Sequence, residues 1–566
     1  SASPGYFRIE MEADIEVQLP QGWQVLGRAP AESMLELTVA VRQQNLKDLH
    51  DTLMRVSTPS SPEYGQHLSQ AEVNTMTAPS HEHLSSVLAY LAAHRVVPQT
   101  STPNKDILHA HVSVAQAELM LQTKYFILQH QTGTKITRAL GGYSLPQAVA
   151  LAVDFVAPTV HIPGVIRRHQ HSTQQLTVNT AAGNLRGNQN RSRVRMNDPK
   201  HLRTLYSIGA AQGLAPNNKQ AVTAFLEQYY SAASLQTFWQ EECTPEGLQC
   251  GKGSVRLVGD ATTGKPGTES MLDIEYITGV AGNVESEFWG FAGRSPDNRE
   301  NEPFMKWLST LSSTSDMDVP KIFSTSYGED EGSWSLPAAT RLNVEFQKAG
   351  VRGITLLYAA GDEGANCKGG VFVPEGPGSS PYVTAVGGTG PGKTWPNPGK
   401  DAEVAVGLSS GGFSNYWDMP DYQKEAVAAY LTKPDLPKQS ERGFNTSGRA
   451  YPDIAAQAVD FFVYAGGPEP GVAGTSCASP TAAGVFALVN DLRLQQGKAT
   501  LGFLNPLIYS HPEAFNDVTS GASSGCGFRD GWPAKDGWDA VTGHGTPNYA
   551  KLAALASKLP SGKLPF

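Results

Sequence analysis

One serine in this chain is placed to attack. Gly474-Thr475-Ser476-Cys477-Ala478-Ser479-Pro480 reads as a turn that delivers Ser476 to the start of an apolar helix running through residues 482–492. A hydroxyl at a helix N-terminus meets backbone N–H groups and the positive end of the dipole, which favour developing negative charge. An ordinary Ser N-cap has the same local pattern, so a nucleophile reading needs a base to go with it.

The seven residues resemble the nucleophile motif of the subtilisin-like clan of serine peptidases, in which the order is Asp, His, Ser. The usual base, a histidine, is in the wrong part of this chain. Of 14 His, 12 lie at or before His201, and only His511 and His544 follow, both after Ser476. His544-Gly545-Thr546 imitates the His-Gly-Thr of subtilisins but comes after the serine, and a loop or strand-end role is its ordinary alternative. Carboxylates remain. Residues 267–276 read as a helix start with Glu269 and Asp273 spaced i, i+4, on one face. Such a pair either points to water or serves a purpose. Two interacting carboxylates push one pKa upward, so a proton is easily held between them.

The third piece is Tyr358-Ala359-Ala360-Gly361-Asp362-Glu363-Gly364, after the apolar run 353–357. It reads as a buried strand ending in a Gly-rich turn. In subtilisins the corresponding turn carries an Asn that donates to the oxyanion. An ionised Asp362 would repel that charge, whereas a protonated one can donate to it. Acid pH, or a strongly raised pKa, is implied.

Glu269, Asp273, Asp362 and Ser476, in that order, resemble the sedolisin (serine-carboxyl peptidase) family, and in particular its tripeptidyl-peptidase branch. Further matching stretches are residues 225–229, Ser326-Tyr327-Gly328, 380–384, 387–389, 411–415, 448–453 and 501–506, so the resemblance covers nearly the whole chain. It implies Ser476 as nucleophile, Glu269 as general base and acid, Asp273 as the group orienting Glu269, and Asp362 as oxyanion donor. It implies an acid-active enzyme that removes tripeptides from free N-termini, or an endopeptidase of the same family. A non-catalytic binding homologue is the rival from another class. The acidic run Ser326-Tyr327-Gly328-Glu329-Asp330-Glu331 offers anions for a substrate α-ammonium, with a solvated loop as the alternative.

The chain has 566 residues and 40% hydrophobic composition, enough for more than one domain. No run of about 18 apolar residues occurs, so no membrane span is expected. It opens on Ser1 without a signal-like stretch, so a secreted form is expected to have lost its leader. Residues 1–195 carry 16 Lys+Arg against 14 Asp+Glu, a net +2, which leaves 28 against 39, a net −11, for the rest. That balance argues against nucleic acid and suits an intramolecular inhibitor on an acidic body. In acid the inhibitor's His residues become cationic while the body's carboxylates lose charge; His that merely solubilise the segment are the alternative.

Five Cys make an odd count. Cys243 and Cys250 are close enough to clip a short loop. The resemblance pairs Cys367 with Cys526, which leaves Cys477 as a buried free thiol. Disulfides, with the sequons at Asn190 and Asn445, imply an oxidising route and a lysosomal or secreted enzyme.

Alternation and periodicity predict a strand over 35–44, helices over 45–56 and 80–95, strands over 107–114 and 125–131, and a helix around 116–121. This α+β mix resembles the ferredoxin-like prosegment of sedolisins. Residues 158–195 lose periodicity and read as an exposed linker open to nicking. The expected organisation is a prosegment over 1–165, a linker over 166–197 with the maturation cut within 180–197, and a catalytic domain over 198–566. From about residue 200, apolar strands alternate with helices, which predicts a doubly wound, subtilisin-like parallel sheet with active residues at strand ends and helix starts.

Near the C-terminus, Asp517 and Asp539 bracket a Gly-rich loop and supply hard oxygens suited to Ca²⁺; two Asp in a loop are otherwise turn formers. The resemblance implies one Ca²⁺ held by the side chains of Asp517 and Asp539 and the carbonyls of Val518, Lys535 and Gly537. Where the family more often has Gly, this chain has Lys535, which fits only if the backbone there allows a side chain.

Overall fold

In the catalytic half, neighbouring residues on each strand face opposite cores. The computed structural model describes residues 7–12, 19, 22–131, 133, 135–162, 196–295, 301–399 and 401–564. Five strands stand side by side in parallel: β8 (Arg256–Val258), β9 (Glu285–Gly290), β7 (Lys219–Ala224), β10 (Ile322–Thr325) and β11 (Thr355–Ala359). β12 (Thr384–Pro391) continues in parallel, and β13 (Glu403–Ala405) closes the edge antiparallel. β14 (Ile454–Gln457) pairs parallel with the far half of β12.

Val222, Ile322 and Leu357 point into a core built with helices α5 (Thr268–Ala281) and α7 (Thr475–Gln495). Ala221, Phe323, Leu356 and Tyr358 point the other way, against α6 (Leu336–Val351) and the helix Phe304–Ser313. Helices on both faces of a parallel sheet bury both sides of each strand, which is the doubly wound arrangement expected.

The N-terminal segment has its own apolar core. β2 (Met34–Val41) lies centrally, between β3 (Ile107–Ser113) and β6 (Val153–Ala157), with the short strand Gln99–Thr100 at the edge. The helices are α1 (Leu46–Ser57), α2 (Gln70–Thr77), α3 (His81–Ala93) and α4 (Val114–Leu121). All the elements expected here are present within a few residues. One departs in partnership: β4 (Tyr125–His130) leaves this layer and joins a separate three-stranded sheet with β1 (Trp23–Arg28) and β5 (Lys135–Ala139). β4 and β5 are antiparallel hairpin neighbours, so their pairing closes only a short loop, and β6 takes the vacated edge.

This segment docks on α6. Leu49 and Leu53 of α1 pack with Val344, Val351 and Phe503, and Ala40, Ile107, Phe155 and Ala157 pack on Ala338. Between these patches lies a buried ionic cluster. Arg341 reaches Asp106 at 2.9 Å, Asp154 at 3.2 Å and Glu345 at 3.3 Å. Lys348 reaches Asp106 at 3.3 Å and Glu345 at 2.8 Å. Removing one member would strand a buried charge, the costly way to break such a cluster.

The Asn190 sequon and residues 180–195 of the expected maturation segment lie outside the described residues. Asn197, at its end, is fully buried: its side-chain amide donates to Gln457 Oε1 (3.0 Å) and the Val459 carbonyl (2.7 Å).

Candidate active site

Two helix starts and two strand ends meet at one point. α7 begins at Thr475, so Ser476 sits in its first turn, half-buried. Gly474 precedes it at φ 156°, and a Cβ there would come within 2.7 Å of Asp362 Oδ2. The glycine is what allows the turn after β11 to approach the nucleophile's helix.

Asp362 is exposed, on the turn that follows β11. Its Oδ1 accepts from the Thr475 N–H (2.6 Å) and the Thr475 hydroxyl (2.9 Å). Thr475 Oγ1 also accepts from the Gly361 N–H at 3.1 Å. The residue before Ser476 therefore clamps the turn that carries Asp362.

Glu269 lies in the first turn of α5 and Asp273 one turn further on. They are 6% and 0% exposed, so the pair does not face water. Met271 and Leu272 of α5 share one core with Cys477, Ala478 and Ala482 of α7, which sets the acid pair against the start of the nucleophile's helix. Asp273 Oδ1 accepts from the Ser326 hydroxyl at 2.7 Å. Burial, and then the neighbouring Glu269 charge, hold the Asp273 carboxyl well above the usual carboxylate range.

His544 is a core residue. It is 6% exposed, its ring packs edge-on against Tyr509 at 4.8 Å, and burial pushes its pKa down to about 4. Cys477 is fully buried, with its thiol pushed up by burial and then by the Glu269 charge, which suits an inert side chain. Cys243–Cys250 and Cys367–Cys526 are disulfides; the second ties the segment after the oxyanion turn to the C-terminal loop.

Two neighbours have no role that the sequence assigns. Ser326 belongs to a matching stretch but had no role there. Glu375 sits in Pro374-Glu375-Gly376-Pro377, which reads only as a turn. It is 9% exposed, and burial pushes its carboxyl up to about 8. Its Oε1 accepts from the Ser410 hydroxyl at 2.8 Å, and Ser410 Oγ accepts from the Glu363 N–H at 3.0 Å. A neutral acid thus underlies the turn that carries Asp362.

The Gly-rich C-terminal loop sets Asp517 against the backbone at Gly537 and Asp539 against the backbone at Lys535. Asp517 Oδ2 accepts from the Gly537 N–H (2.8 Å) and Asp539 Oδ2 from the Lys535 N–H (2.9 Å). Asp517 Oδ1 is buried without a hydrogen-bond partner. Neither Asp is ion-paired among the described residues. Lys535 is not among the residues of positive φ, so its side chain imposes no strain at that carbonyl. The donor set fits a hard cation.

A mostly parallel, doubly wound sheet with Ser476 at the head of a buried helix, and an acid pair beside it, defines a subtilisin-like peptidase fold without a histidine base. Residues 21–162 match the family described as Pro-kumamolisin, activation domain, and residues 277–501 match the Subtilase family. Tripeptidyl-peptidase 1 of Bos taurus is 38% identical over 562 residues, covering 96% of this chain and 95% of that protein. Tripeptidyl-peptidase 1 of Homo sapiens is 38% identical over 558 residues with the same coverage. Pseudomonas sedolisin, solved in complex with pseudo-iodotyrostatin, superimposes with a TM-score of 0.51 at 23% identity, over 64% of this chain and 98% of that one, and shows the shared fold. The chain belongs to the sedolisin family of serine-carboxyl peptidases and is a proenzyme that retains its activation domain.

Proposed function

We propose that this proenzyme autoactivates in acid to a peptidase that removes tripeptides from the free N-termini of unfolded polypeptides. The observation that carries the reading is the burial of Glu269 and Asp273 against the first turn of α7. Glu269 takes the Ser476 proton as the hydroxyl attacks the scissile carbonyl. Asp362 Oδ1 already accepts twice from Thr475, so a proton on this acid sits on Oδ2. From there, with the Ser476 N–H, it donates to the oxyanion. Glu269 returns the proton to the leaving amine, and water repeats the cycle. The activity needs acid for Asp362 and an ionised fraction of Glu269, hence a bell-shaped pH profile.

In this reading the prosegment is residues 1–165, the linker 166–197 and the catalytic domain 198–566. The cut precedes Asn197, whose buried amide anchors the catalytic body. The two disulfides suit folding in an oxidising compartment, and acid activity places the mature enzyme in the lysosome or an acidic extracellular space. Asn445 is the described sequon; its side chain is half-buried and donates to the Ser414 carbonyl at 3.0 Å.

The name of the relatives supports the tripeptidyl specificity; the acidic run bears on it in the other direction. Glu331 is 3% exposed and spent on the Ser379 and Ser414 hydroxyls and the Asn415 and Tyr416 N–H groups. Asp330 is bound to Lys368 and Asn366. These commitments leave neither Asp330 nor Glu331 free to receive an α-ammonium, which favours an endopeptidase. A free-N-terminus tripeptide-fluorophore substrate and its N-acetylated twin, assayed near pH 4, decide it. Preference for the free form by at least tenfold is expected; equal cleavage of both would establish the endopeptidase.

Asp517, Asp539 and the carbonyls of Val518, Lys535 and Gly537 would hold one Ca²⁺, whose charge would tie the C-terminal loop to the body. A site filled at a hundredfold excess over Kd adds about 2.7 kcal/mol. Chelation is therefore expected to lower Tm by several degrees and added Ca²⁺ to restore it, with Asp517→Asn insensitive to both in a thermal melt.

A further inference from the structure

We propose that Ser326 is a positioning residue that fixes which oxygen of Asp273 carries the proton of the Glu269–Asp273 pair. The inference rests on the reading of that pair as the base system for Ser476. Ser326 follows β10 directly and is 4% exposed. Its hydroxyl has one proton to give and two acceptors in reach: Asp273 Oδ1 at 2.7 Å and the Ser476 carbonyl oxygen at 3.5 Å. The short contact takes the proton, because the longer one is at the limit of hydrogen bonding.

Oδ1 is thereby an acceptor. The other oxygen, Oδ2, is buried without a hydrogen-bond partner. A carboxylic acid proton on Asp273 belongs on Oδ2, and the group that acts on Asp273 most strongly after burial is Glu269. Asp273 then stands as a hydrogen-bond donor and Glu269 as the ionised member that can take the Ser476 proton. The other titratable groups facing the pair are Tyr327, from the turn after β10, and Cys477, from α7; burial raises both, so both stay neutral in acid. Asp362 and Glu302 act on those same two groups.

Ser326 also stabilises the pair's monoanion, since a donor to Oδ1 polarises the neutral Asp273 carboxyl and makes its O–H a stronger hydrogen-bond donor to the Glu269 carboxylate. Removing the hydroxyl frees the proton to sit on either oxygen and makes the first ionisation harder. In Ser326→Ala the acid limb of the kcat/KM profile is expected to move up by about one pH unit. Activity on that limb falls about tenfold with KM and the alkaline limb unchanged. Ser326→Thr, which keeps the hydroxyl, is expected to restore the limb. Ser326→Cys, a weaker donor, should give an intermediate shift, and serves if the Ala chain fails to fold. Loss of kcat with both limbs in place would overturn the proposal and assign Ser326 to bracing the Ser476 carbonyl; so would a Thr variant as shifted as Ala. Glu269→Gln measured alongside separates the two levels. Full turnover in Glu269→Gln removes the pair's role itself, whereas an inert Glu269→Gln with an unmoved limb in Ser326→Ala removes only this inference.

Discussion

The Ser476→Ala chain, brought to about pH 4 where carboxylates and His are near their ordinary pKa values, is expected to stay full-length and to hydrolyse nothing. The unsubstituted chain is expected to lose its prosegment and to release tripeptide under the same conditions. Removing the nucleophile or its base from a serine peptidase of the subtilisin type lowers kcat on the order of 10⁶-fold. Glu269→Gln keeps the side chain's size in a site that is 6% exposed but removes the base, and its loss is expected to approach the same figure. The decisive outcome is the double variant. If Ser476 and Glu269 act as one unit, Ser476→Ala/Glu269→Gln is no worse than either alone. Independent, multiplying losses would assign Glu269 to substrate binding or to folding. Mass spectrometry of the acidified chain and a fluorogenic assay read both quantities.

That the pair could be singled out from sequence at all depended on where the histidines are not. With 12 of 14 His at or before residue 201, a base had to come from elsewhere, and i, i+4 spacing put Glu269 and Asp273 on one face. Spacing could not say whether that face was wet. Its dryness comes from packing between α5 and α7, whose residues lie about two hundred positions apart in the chain. Strands with an apolar run and a Gly-rich end, such as β11, were legible because their pattern is local. The partner of β4 was not, since a strand's own alternation says which face is buried and nothing about which edge is shared. Glu375 was hidden for a related reason. A Glu between two prolines looks like a turn, and only the Ser410 loop folded over it makes it a buried acid under the oxyanion turn. The acidic run after Tyr327 was ambiguous for the opposite reason. It read equally as an anion site or a solvated loop, and Asp330 and Glu331 instead hold neighbouring loops.

Release of the prosegment is expected to follow one histidine. His67 leaves the prosegment between α1 and α2 and inserts between two glycines of the catalytic body. A Cβ on Gly353 would lie 2.4 Å from its Nδ1, and one on Gly502 2.9 Å from its Nε2. The ring is 7% exposed, and Nε2 has no hydrogen-bond partner. The charges that face it are Lys321, at the head of β10, and Arg493, near the end of α7; Arg352 and Asp316 lie next to Lys321. Arg493 is also 5.8 Å from the ring of Tyr64. Burial first, then these two cations, push the His67 pKa down to about 3 when docked. Undocked, the ordinary value is about 6.5. A group whose docked pKa is depressed in this way contributes fully above 6.5 and loses its contribution as pH falls towards 3, by about tenfold in affinity per pH unit. The ionic cluster does not share this dependence: Lys348 and Arg341 hold the Asp106 carboxyl far below the usual range despite its burial, so that acid stays charged at pH 4. The inhibition constant of the separate segment 1–165 against the mature body, measured from pH 7 to pH 4, is therefore expected to rise about 300-fold. In His67→Gln the rise should all but vanish, and the substituted zymogen should need stronger acid to process. An unchanged slope in His67→Gln would move the sensor to the other interface histidines, His50 against Tyr382 and His161 against the Ser333 carbonyl. Because each inhibition constant is referred to the enzyme's own activity at that pH, the bell-shaped profile of Glu269 and Asp362 drops out, and only docking is read.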